Sequence, residues 1–349
     1  MEKVIINGKF ISQKLTGVQR FACEISIRLP FPAIHPPIRE YSCHIDNSME
    51  FGFLKGNLWE QFHLPQFALL KGKPILLNLG NTAPLLYHKN IITIHDLAWL
   101  RYPQYFSKNF VRFYSFLVPK IARRALHIFT VSNFSKREIM ELLNIDQDKI
   151  TVVYNGVSDK FKPMGIEKEN LILTVATLQP YKNMENLIKG FLLAKERNLI
   201  PGNYKLTLAG GFNRKVFSTL GDFKKLINGR DDIILTGYLN EKELIGLYNR
   251  ARVFVFVSLY EGFGLPPLEA MACGTPVILS NRASLPEVGG DAALYVDPLS
   301  IEDIAEKIAL LINDMSLWEE LRRKGMERAR KFKWEDSAGK ILEVLRNFD

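Results

Sequence analysis

The sequence has few cysteines, and their arrangement does not indicate a metal site or a disulfide framework. Its 349 residues include three cysteines, Cys23, Cys43 and Cys273, which lie far apart and form no Cys-x-x-Cys pair. Isolated cysteines of this kind behave mostly as small buried side chains. The sequence therefore predicts reduced, mostly buried thiols, with neither a zinc site nor a disulfide.

Long apolar runs are also missing. No uninterrupted run approaches the ~18–20 residues that span a bilayer, and the apolar segment at Val4–Ile6 is too short for a signal peptide and fits a first strand. We therefore expect a cytoplasmic protein. No G-x-G-x-x-G follows this strand, which argues against a nucleotide-sugar oxidoreductase.

The composition is that of a soluble globular protein, with 47% hydrophobic and 24% charged residues. The length suggests two domains of ordinary size. A formal net charge of +9 favours an anionic partner. Nucleic acid, a nucleotide phosphate and an anionic membrane surface would each bind a protein of that charge, so the charge alone does not identify the partner.

Short apolar runs alternate with helical patterns along the whole chain. Strands separated by helices indicate parallel sheets built from βαβ units and covered on both faces. A polar segment at residues 155–170 contains Asn-Gly and Lys-Pro turn signals and predicts a hinge between two such domains. The predicted strands are 4–6, 91–94, 127–131, 150–153, 171–176, 205–209, 233–236, 253–257 and 276–279, and helices are predicted at 18–29, 107–124 and 135–143.

The segment Glu-Gly-Phe-Gly at residues 261–264 follows a buried strand and precedes a predicted helix. Pro266 and Pro267 suit the first turn of that helix, and Gly274 suits the position just after its end. The glycines permit close backbone approach to a ligand, and a helix N-terminus favours an anion. This turn is therefore a candidate phosphate site.

Two acids flank the candidate phosphate site. Glu269 lies about one turn into the helix, where it is expected to bind a ribose, and Glu261 lies on the other side of the turn, where it is expected to bind a hexose. The alternative is that both are ordinary helix-end or surface acids, since carboxylates disfavour a neighbouring anion.

Several segments in order carry a resemblance to a known family. The spacing from Glu261 to Glu269 resembles the signature of family-4 retaining GT-B glycosyltransferases (glycosyl transferases group 1), and the similarity covers nearly the whole chain. The other matching segments are T-I-H-D-L at 93–97, T-V-S-N-F-S-K at 130–136, V-Y-N-G-V at 153–157, L-T-V-A-T-L-Q-P-Y-K-N at 173–183 and S-L-P-E-V-G-G-D-A-A-L-Y-V-D-P at 284–298.

The resemblance implies an α/β GT-B fold with two facing Rossmann-like domains and a cleft between them. It places an acceptor-side domain at residues 1–160 and a donor domain at 161–330, with a C-terminal helix at about 331–349 packing back on the first. It implies metal-independent, retaining transfer of a hexose from a GDP-, UDP- or dTDP-sugar to a glycan or lipid-linked acceptor in bacterial surface polysaccharide synthesis, with no other cofactor. GDP-mannose is the first choice of donor, because the segments look closest to mannosyl- and rhamnosyltransferases.

The resemblance also assigns residues on the donor side. Lys182 would contact the diphosphate as a mobile point charge; the alternative is a solvated surface lysine. Thr177 and Tyr181 stand where relatives often carry a second base, so Arg214 is a candidate for that role. The residues expected to bind the donor are Gly17, Lys182, Gly262, Phe263, Gly264, Leu265 and Glu269, with Glu261 stabilising the reacting sugar.

On the acceptor side, the resemblance places His95 near the transferred sugar as a second catalytic candidate. Asp96 would orient this imidazole and raise its pKa; a structural histidine at a strand end is the alternative. Gly17 would allow close backbone approach, and Arg20 would meet an acceptor anion, unless Thr16 simply caps the helix there and Arg20 faces water.

The segment Phe110–Arg124 mixes aromatic and basic residues at helical spacing. It is expected either to contact an anionic membrane on the inner face of the cell membrane or to pack its aromatics on the sheet and leave its bases in water. Two rival functions stay open: a GT-B epimerase or hydrolase, and a nucleic-acid binder, although no platform for nucleic acid is visible.

Overall fold

A computed structural model describes residues 4–38, 43–211 and 221–348. The chain forms two compact units, one made of residues 1–156 and 333–349 and the other of residues 157–332. In neither described unit is a helix both long enough and apolar enough to cross a bilayer.

The first unit is a parallel sheet of seven strands with helices between them. Its strands are β1 Val4–Asn7, β2 Ala33–His35, β3 Ser48–Glu50, β4 Ile75–Asn78, β5 Asn90–Thr93, β6 His127–Thr130 and β7 Ile150–Val152. Its helices are α1 Gly17–Ser26, α2 Gly56–Leu70, α3 Ala98–Arg101, α4 Lys108–Arg124 and α5 Asn133–Leu143. The strand order is β3-β2-β1-β4-β5-β6-β7.

The second unit is a parallel sheet of six strands. Its strands are β8 Glu169–Val175, β9 Lys205–Ala209, β10 Ile233–Gly237, β11 Ala251–Phe256, β12 Val277–Ser280 and β13 Ala293–Val296. Its helices are α6 Met184–Glu196, α7 Gly221–Ile227, α8 Glu241–Arg250, α9 Leu265–Ala272, α10 Leu285–Gly289, α11 Ile301–Asn313 and α12 Met315–Ala329. The strand order is β10-β9-β8-β11-β12-β13, and the predicted α/β class is confirmed.

Each sheet reverses its strand order at one place. In the first unit the reversal lies between β1 and β4, and in the second it lies between β8 and β11. In open α/β sheets, ligands bind at the carboxyl ends of the strands at such a reversal. The segments that follow β1, β4, β8 and β11 are therefore the places to look for a site.

The last helix, α13 Trp334–Leu345, belongs to the first unit. Trp334 is fully buried, with its ring centroid 6.0 Å from that of Phe21 on α1. The Ser337 hydroxyl donates a 2.6 Å hydrogen bond to the carbonyl oxygen of Tyr154. Apolar burial and this bond fasten the C-terminal helix to the unit that begins the chain.

The cysteine prediction is wrong for one pair. Cys23 on α1 and Cys43 form a disulfide across a sequence separation of 20 residues, with their Cα atoms 6.2 Å apart, a span that disulfides commonly bridge. The spacing of the cysteines carries no signal for this bond, because the pairing depends on how the chain returns to α1 through β2. Cys273 is an unpaired, buried thiol, as expected.

Candidate active site

The Glu-Gly-Phe-Gly turn lies between β11 and α9, at the strand reversal of the second unit. Gly264 has a φ of 109°, a left-handed conformation that favours glycine. The Ser284 hydroxyl bonds to the carbonyl oxygens of Glu261 at 2.9 Å and Phe263 at 2.6 Å. Phe263 is buried with its ring 5.8 Å from that of Phe332. These contacts hold the turn in one shape.

Helix α9 begins as the sequence predicts. Gly264 is its N-cap, Pro266 and Pro267 lie in its first turn, and Gly274 follows its end with a φ of 71°. Because the two prolines have no N–H, the donors available to an anion at this end come from the turn itself, at Gly264 and Leu265. The site is therefore a turn that donates amides, supported by the helix dipole.

Lys182 and Glu261 form an ion pair that the sequence did not predict. The Nζ atom of Lys182 lies 2.6 Å from Oε1 of Glu261, and the two side chains are only 14% and 12% exposed. Lys182 ends a 3-10 turn that follows β8, and the Leu259 amide donates to the Tyr181 carbonyl oxygen at 2.8 Å. A base and an acid assigned to different parts of the donor thus meet directly at the strand reversal.

Asn183 anchors the lysine turn from behind. It has a left-handed φ of 58° and forms the N-cap of α6. Its amide nitrogen donates to the carbonyl oxygens of Val257 at 3.1 Å and Pro298 at 2.6 Å. The end of β8 is therefore tied to the segments that follow β11 and β13.

Glu269 is buried on α9, 4% exposed. Its Oε2 accepts a 2.9 Å hydrogen bond from the hydroxyl of Tyr248 on α8. Tyr248 was not predicted as a site residue, since it is 21 residues away from Glu269 and carries no motif. The ribose role of Glu269 stays a prediction, and the hydrogen bond from Tyr248 fixes one oxygen of the buried carboxylate.

In the first unit, His95 follows β5 and is buried, 5% exposed. Its Nε2 lies 3.0 Å from the Leu79 carbonyl oxygen, and its backbone amide donates to Oδ1 of Asn81 at 2.8 Å. Burial lowers the pKa of His95 to about 4. Since a carbonyl only accepts, Nε2 carries the proton of the neutral ring and Nδ1 is left as an acceptor.

The expected rise in the pKa of His95 is wrong, whereas the orienting role of Asp96 stays a prediction. Oδ1 of Asp96 accepts a hydrogen bond from the backbone amide of Ala98 at 3.0 Å and so caps the start of α3. The pKa of His95 is lowered, not raised, because desolvation by burial outweighs the backbone hydrogen bond.

Gly17 and Arg20 lie in the first turn of α1, where the sequence placed them. A Cβ at Gly17 would meet no atom within 4 Å, so packing inside the protein does not require glycine there. Thr16 is the N-cap residue but its side chain does not cap the backbone. Arg20 is half-buried, and its amide donates to the Thr16 carbonyl oxygen at 2.8 Å.

A buried charge network at the strand reversal of the first unit was also missed. Glu60, fully buried on α2, accepts from Lys9 Nζ at 2.7 Å and from Asn7 at 2.9 Å. Lys9 also donates to Thr82 at 2.6 Å, and Asn7 to Asn78 at 2.9 Å. Glu60 and Thr82 are 51 and 73 residues away from Lys9, so no local pattern could reveal these contacts.

Arg214, the candidate second base for the diphosphate, lies outside the described residues. An Asp-x-Asp spacing, typical of cation sites, occurs at Asp146 and Asp148, where Oδ1 of Asp146 accepts from the Asp148 amide at 2.9 Å in a turn before β7. Within residues 4–38, 43–211 and 221–348, no three His, Cys, Asp or Glu side chains cluster as metal ligands.

Comparison with known proteins gives family matches in both units. Residues 157–332 match the model for glycosyl transferases group 1. Residues 76–161 match the model for Glycosyltransferase Family 4. The first match covers the whole second unit, including Lys182, Glu261 and Glu269.

Relatives of known name and solved structure agree with these matches. O-antigen chain mannosyltransferase B of Escherichia coli is 30% identical over 99% of both chains. O-antigen chain mannosyltransferase RfbU of Salmonella typhimurium LT2 is 33% identical over 65% of this chain and 61% of its own. Anabaena Alr3699/HepE, solved in complex with UDP and glucose, superposes with a TM-score of 0.78 at 17% identity, covering 99% of this chain and 100% of that one.

The two parallel sheets with helices between their strands, together with the similar solved structures, show a GT-B fold. The chain belongs to family 4 of the glycosyltransferases, the glycosyl transferases group 1, and is a glycosyltransferase.

Proposed function

We propose that the protein transfers a hexose from a nucleotide diphosphate sugar to a hydroxyl of a glycan or lipid-linked glycan during synthesis of a bacterial surface polysaccharide. The observation that carries this is the Lys182–Glu261 pair beside the glycine turn at the strand reversal. Support comes from the relatives named as O-antigen mannosyltransferases and from HepE, which was solved with UDP and glucose.

In this proposal the donor lies along the carboxyl edge of the second sheet. Lys182 and the amides at Gly264 and Leu265 bind the diphosphate, Glu269 binds the ribose, and Glu261 binds the hexose hydroxyls. The bond between hexose C1 and the diphosphate oxygen breaks, and the diphosphate keeps the electron pair. Lys182 stabilises the charge that develops there without a metal ion.

The new bond joins hexose C1 to the acceptor oxygen on the face that the diphosphate leaves, so the anomeric configuration is retained. The proton of the acceptor hydroxyl passes to the departing phosphate oxygen, which balances the reaction. Glu261 stabilises the oxocarbenium-like transition state. His95, neutral at physiological pH, offers Nδ1 as an acceptor to a sugar hydroxyl.

GDP-mannose is the proposed donor, with a UDP- or dTDP-sugar as the next candidate. The test is calorimetry with GDP, UDP, dTDP and ADP, followed by product analysis with the matching mannose donor. We expect GDP to bind most tightly and Lys182→Met to weaken diphosphate binding by about tenfold to a hundredfold, the usual value of a charge-assisted hydrogen bond. Lys189→Met is the matched control, because Lys189 forms an exposed pair with Glu185 in the same unit.

Product analysis also separates the rival activities. Transfer to an acceptor, with the anomeric configuration of the donor and with undiminished rate in a chelator, supports the proposal. Free hexose or an epimerised sugar formed without an acceptor would identify a hydrolase or epimerase instead. No binding of any nucleoside diphosphate, together with salt-sensitive binding of DNA, would contradict a transferase altogether.

We also propose that the first unit contacts an anionic membrane through α4. This helix carries five basic residues and no acid: Lys108, Arg112, Lys120, Arg123 and Arg124. Its aromatics divide between two environments. Phe110 and Tyr114 pack on the core with ring centroids 4.1 Å apart, whereas Phe113 and Phe116 are exposed. The acceptor is then a glycan held at that membrane.

A further inference from the structure

The ring and the backbone of His95 are both held by the segment that follows β4. The Leu79 carbonyl oxygen lies 3.0 Å from Nε2 of the ring, and Oδ1 of Asn81 accepts from the His95 backbone amide at 2.8 Å. A neutral imidazole has two tautomers, and the hydrogen bond made by one ring nitrogen decides which nitrogen carries the proton. The position of the Leu79 carbonyl oxygen therefore determines whether Nδ1 can accept a hydrogen bond from a sugar hydroxyl.

The same segment is bound to a buried ion pair at Thr82. The Thr82 hydroxyl, which is buried, accepts from Lys9 Nζ at 2.6 Å and donates to Glu60 Oε1 at 3.1 Å. Lys9 lies in the 3-10 turn after β1, Glu60 lies on α2, and their own contact is 2.7 Å. The three side chains come from three separate parts of the chain and close a ring of hydrogen bonds. We call these three residues the Lys9 network.

The three N–H groups of the Lys9 ammonium are all taken within the protein. Besides Glu60 and Thr82, the ammonium donates to Oδ1 of Asn57 at 3.2 Å. A lysine side chain has three donors and no acceptor, and this one is only 11% exposed. Lys9 is therefore placed to hold its neighbours rather than to bind a substrate anion.

The Lys9 network fixes geometry more than it adds stability. Glu60 is fully buried, and a buried ion pair contributes little net stability compared with apolar side chains of the same volume. Its directional hydrogen bonds, however, admit one arrangement of the groups that make them. Glu60 also accepts from Asn7 at 2.9 Å, and Asn7 donates to Asn78, the last residue of β4. The segment after β4 is thus bound at its start by Asn7 and at its end by the network.

We propose that the Lys9 network positions His95 for sugar transfer. It fixes the segment after β4, so that the Leu79 carbonyl oxygen keeps the ring proton on Nε2 and Nδ1 stays an acceptor. The three residues act through His95 and need not contact the substrate themselves. The inference rests on the proposed function for the part that His95 takes in transfer, whereas the state of the imidazole ring can be measured without any reaction.

Thr82→Val tests the network with the least disturbance. Lys9→Met or Glu60→Gln would leave a buried charge without its partner and destabilise the first unit as a whole, whereas valine keeps the size of Thr82 and the ion pair but removes the hydroxyl. With GDP-mannose and octyl mannoside as a water-soluble acceptor, we expect turnover to fall about tenfold, the usual value of one such hydrogen bond, with the donor KM unchanged. Thr82→Ala removes the same hydroxyl and repeats the test, and Thr82→Ser should restore turnover.

Thr151→Val is the matched control in the same unit. It removes a hydroxyl that contacts a different imidazole, with Oγ1 of Thr151 2.8 Å from Nε2 of His127. We expect turnover to stay at the wild-type value in this variant. Melting temperatures of all the variants show which of them are folded.

Two further readouts separate positioning of His95 from a general structural role. Nitrogen-15 NMR of the histidine rings, with the His95 signals identified by their loss in His95→Gln, should show the Nε2–H tautomer in the wild type and both tautomers in Thr82→Val. In a double-mutant cycle, Thr82→Val should lower turnover about tenfold in the wild type but not in His95→Gln, because the effects of residues that act through one another do not add.

The outcomes separate this inference from the proposed function. Unchanged His95 signals or unchanged turnover in Thr82→Val would overturn the inference and leave the proposed function standing. The same fold-loss in both backgrounds of the cycle, an equal loss in Thr151→Val, or turnover that Thr82→Ser does not restore would also overturn it. A wild type that transfers no sugar, but whose His95 tautomer changes in Thr82→Val, would leave the positioning standing and overturn the proposed function.

Discussion

Lys182 and Glu261 neutralise each other at 2.6 Å in a site where each is expected to bind part of a donor. Both side chains are largely removed from water, so their attraction is screened less than that of a surface pair. A diphosphate that approaches Lys182 competes with the Glu261 carboxylate for the same ammonium. Donor binding would therefore release Glu261 toward the hexose, which couples recognition of the diphosphate to positioning of the acid.

The first prediction concerns Glu261→Gln. The amide keeps the size of the side chain but loses the charge that stabilises the transition state, so we expect turnover to fall by about a hundredfold or more. Affinity for the nucleoside diphosphate should stay the same or rise a few-fold, because Lys182 is then available to the phosphate. Initial rates and calorimetry measure the two effects.

Glu185→Gln is the matched control for this variant, since Glu185 forms an exposed ion pair with Lys189 in the same unit at the same 2.6 Å. It should change neither quantity by more than about twofold, as exposed pairs contribute little. Unchanged turnover in Glu261→Gln would remove Glu261 from the reaction.

The second prediction concerns His95 and pH. The pKa is lowered to about 4 in the folded protein by burial, against about 6.5 in an unfolded chain. Between these values the unfolded chain binds a proton that the folded chain does not, so stability falls as the pH falls. The loss is about 1.4 kcal/mol per pH unit for one histidine, and it is absent above about pH 6.5. His127, whose pKa is also lowered to about 4, adds to the loss.

In His95→Gln, the free energy of unfolding should fall less steeply as the pH is lowered, by the contribution of one histidine. Urea denaturation at about pH 7 and about pH 5, followed by tryptophan fluorescence, measures it, because three of the four tryptophans, Trp59, Trp99 and Trp334, belong to the first unit. The control is His44→Gln, whose side chain is exposed. The same slope in His95→Gln and the wild type would mean that the imidazole is not held neutral by burial.

The turn before α9 and the first turn of α1 each contain a glycine, and the two positions differ in how much space a side chain would have. Gly264 has a φ of 109°, and a Cβ there would lie 2.8 Å from Cδ2 of the buried Leu285. Gly17 has open space where a Cβ would lie. The packing of the protein therefore requires glycine at position 264 but not at position 17.

The third prediction compares the two alanine variants. Gly264→Ala should destabilise the second unit by about 1–3 kcal/mol through backbone strain, with a melting temperature lowered by several degrees. Gly17→Ala should leave the melting temperature unchanged or slightly raised, because alanine favours helix. If Gly17 meets the substrate closely, the same variant loses activity at full stability. Full activity in a stable Gly17→Ala protein would contradict the role assigned to Gly17.

The elements that could be predicted from sequence are those whose signal is local. Apolar runs located the strands that became β1, β5, β6 and β7 and those of the second unit except β13. Strands β2 and β3 were missed because they lack the adjoining apolar residue that extends the equally short β7, and β4 was missed although Ile75–Leu77 form an apolar run. Helix α2 was not predicted because it is apolar on both faces and contains Pro65, so its pattern has no clear period.

The residues of the candidate site likewise include some that have a local sequence signal and others that have none. The turn with Glu261 and Glu269 could be predicted because its glycines, prolines and acids are adjacent in sequence. The Lys182–Glu261 pair, the bond from Tyr248 to Glu269 and the Lys9–Glu60 network join residues 79, 21 and 51 positions apart. Contacts of this kind follow from the strand order of the sheets, which single-sequence patterns do not fix.

At the scale of the whole molecule, the chain leaves the first unit after Gly156 and returns to it at Lys333. At both of these positions the chain lies close to another segment of the same unit. A Cβ at Gly156 would lie 2.4 Å from the Trp334 amide nitrogen, and within the second unit the Val157 amide donates to the Phe332 carbonyl oxygen at 3.0 Å. The first unit therefore depends on residues from both ends of the sequence, whereas the second is one continuous segment.

The last prediction uses two buried tryptophans, one in each unit. Trp334→Ala removes a fully buried side chain that holds α13 to the first unit, and we expect a loss of about 3–5 kcal/mol there. Trp318 on α12 is the matched control, buried in the second unit with its Nε1 donating to the Arg252 carbonyl oxygen at 2.8 Å. Hydrogen exchange should accelerate in β1 and β5 for Trp334→Ala, and in β8 and β11 for Trp318→Ala. Of the two variants, only Trp318→Ala should weaken the binding of nucleoside diphosphates. Acceleration in both units from Trp334→Ala alone would show instead that the two units unfold as one cooperative body, with the C-terminal helix stabilising both.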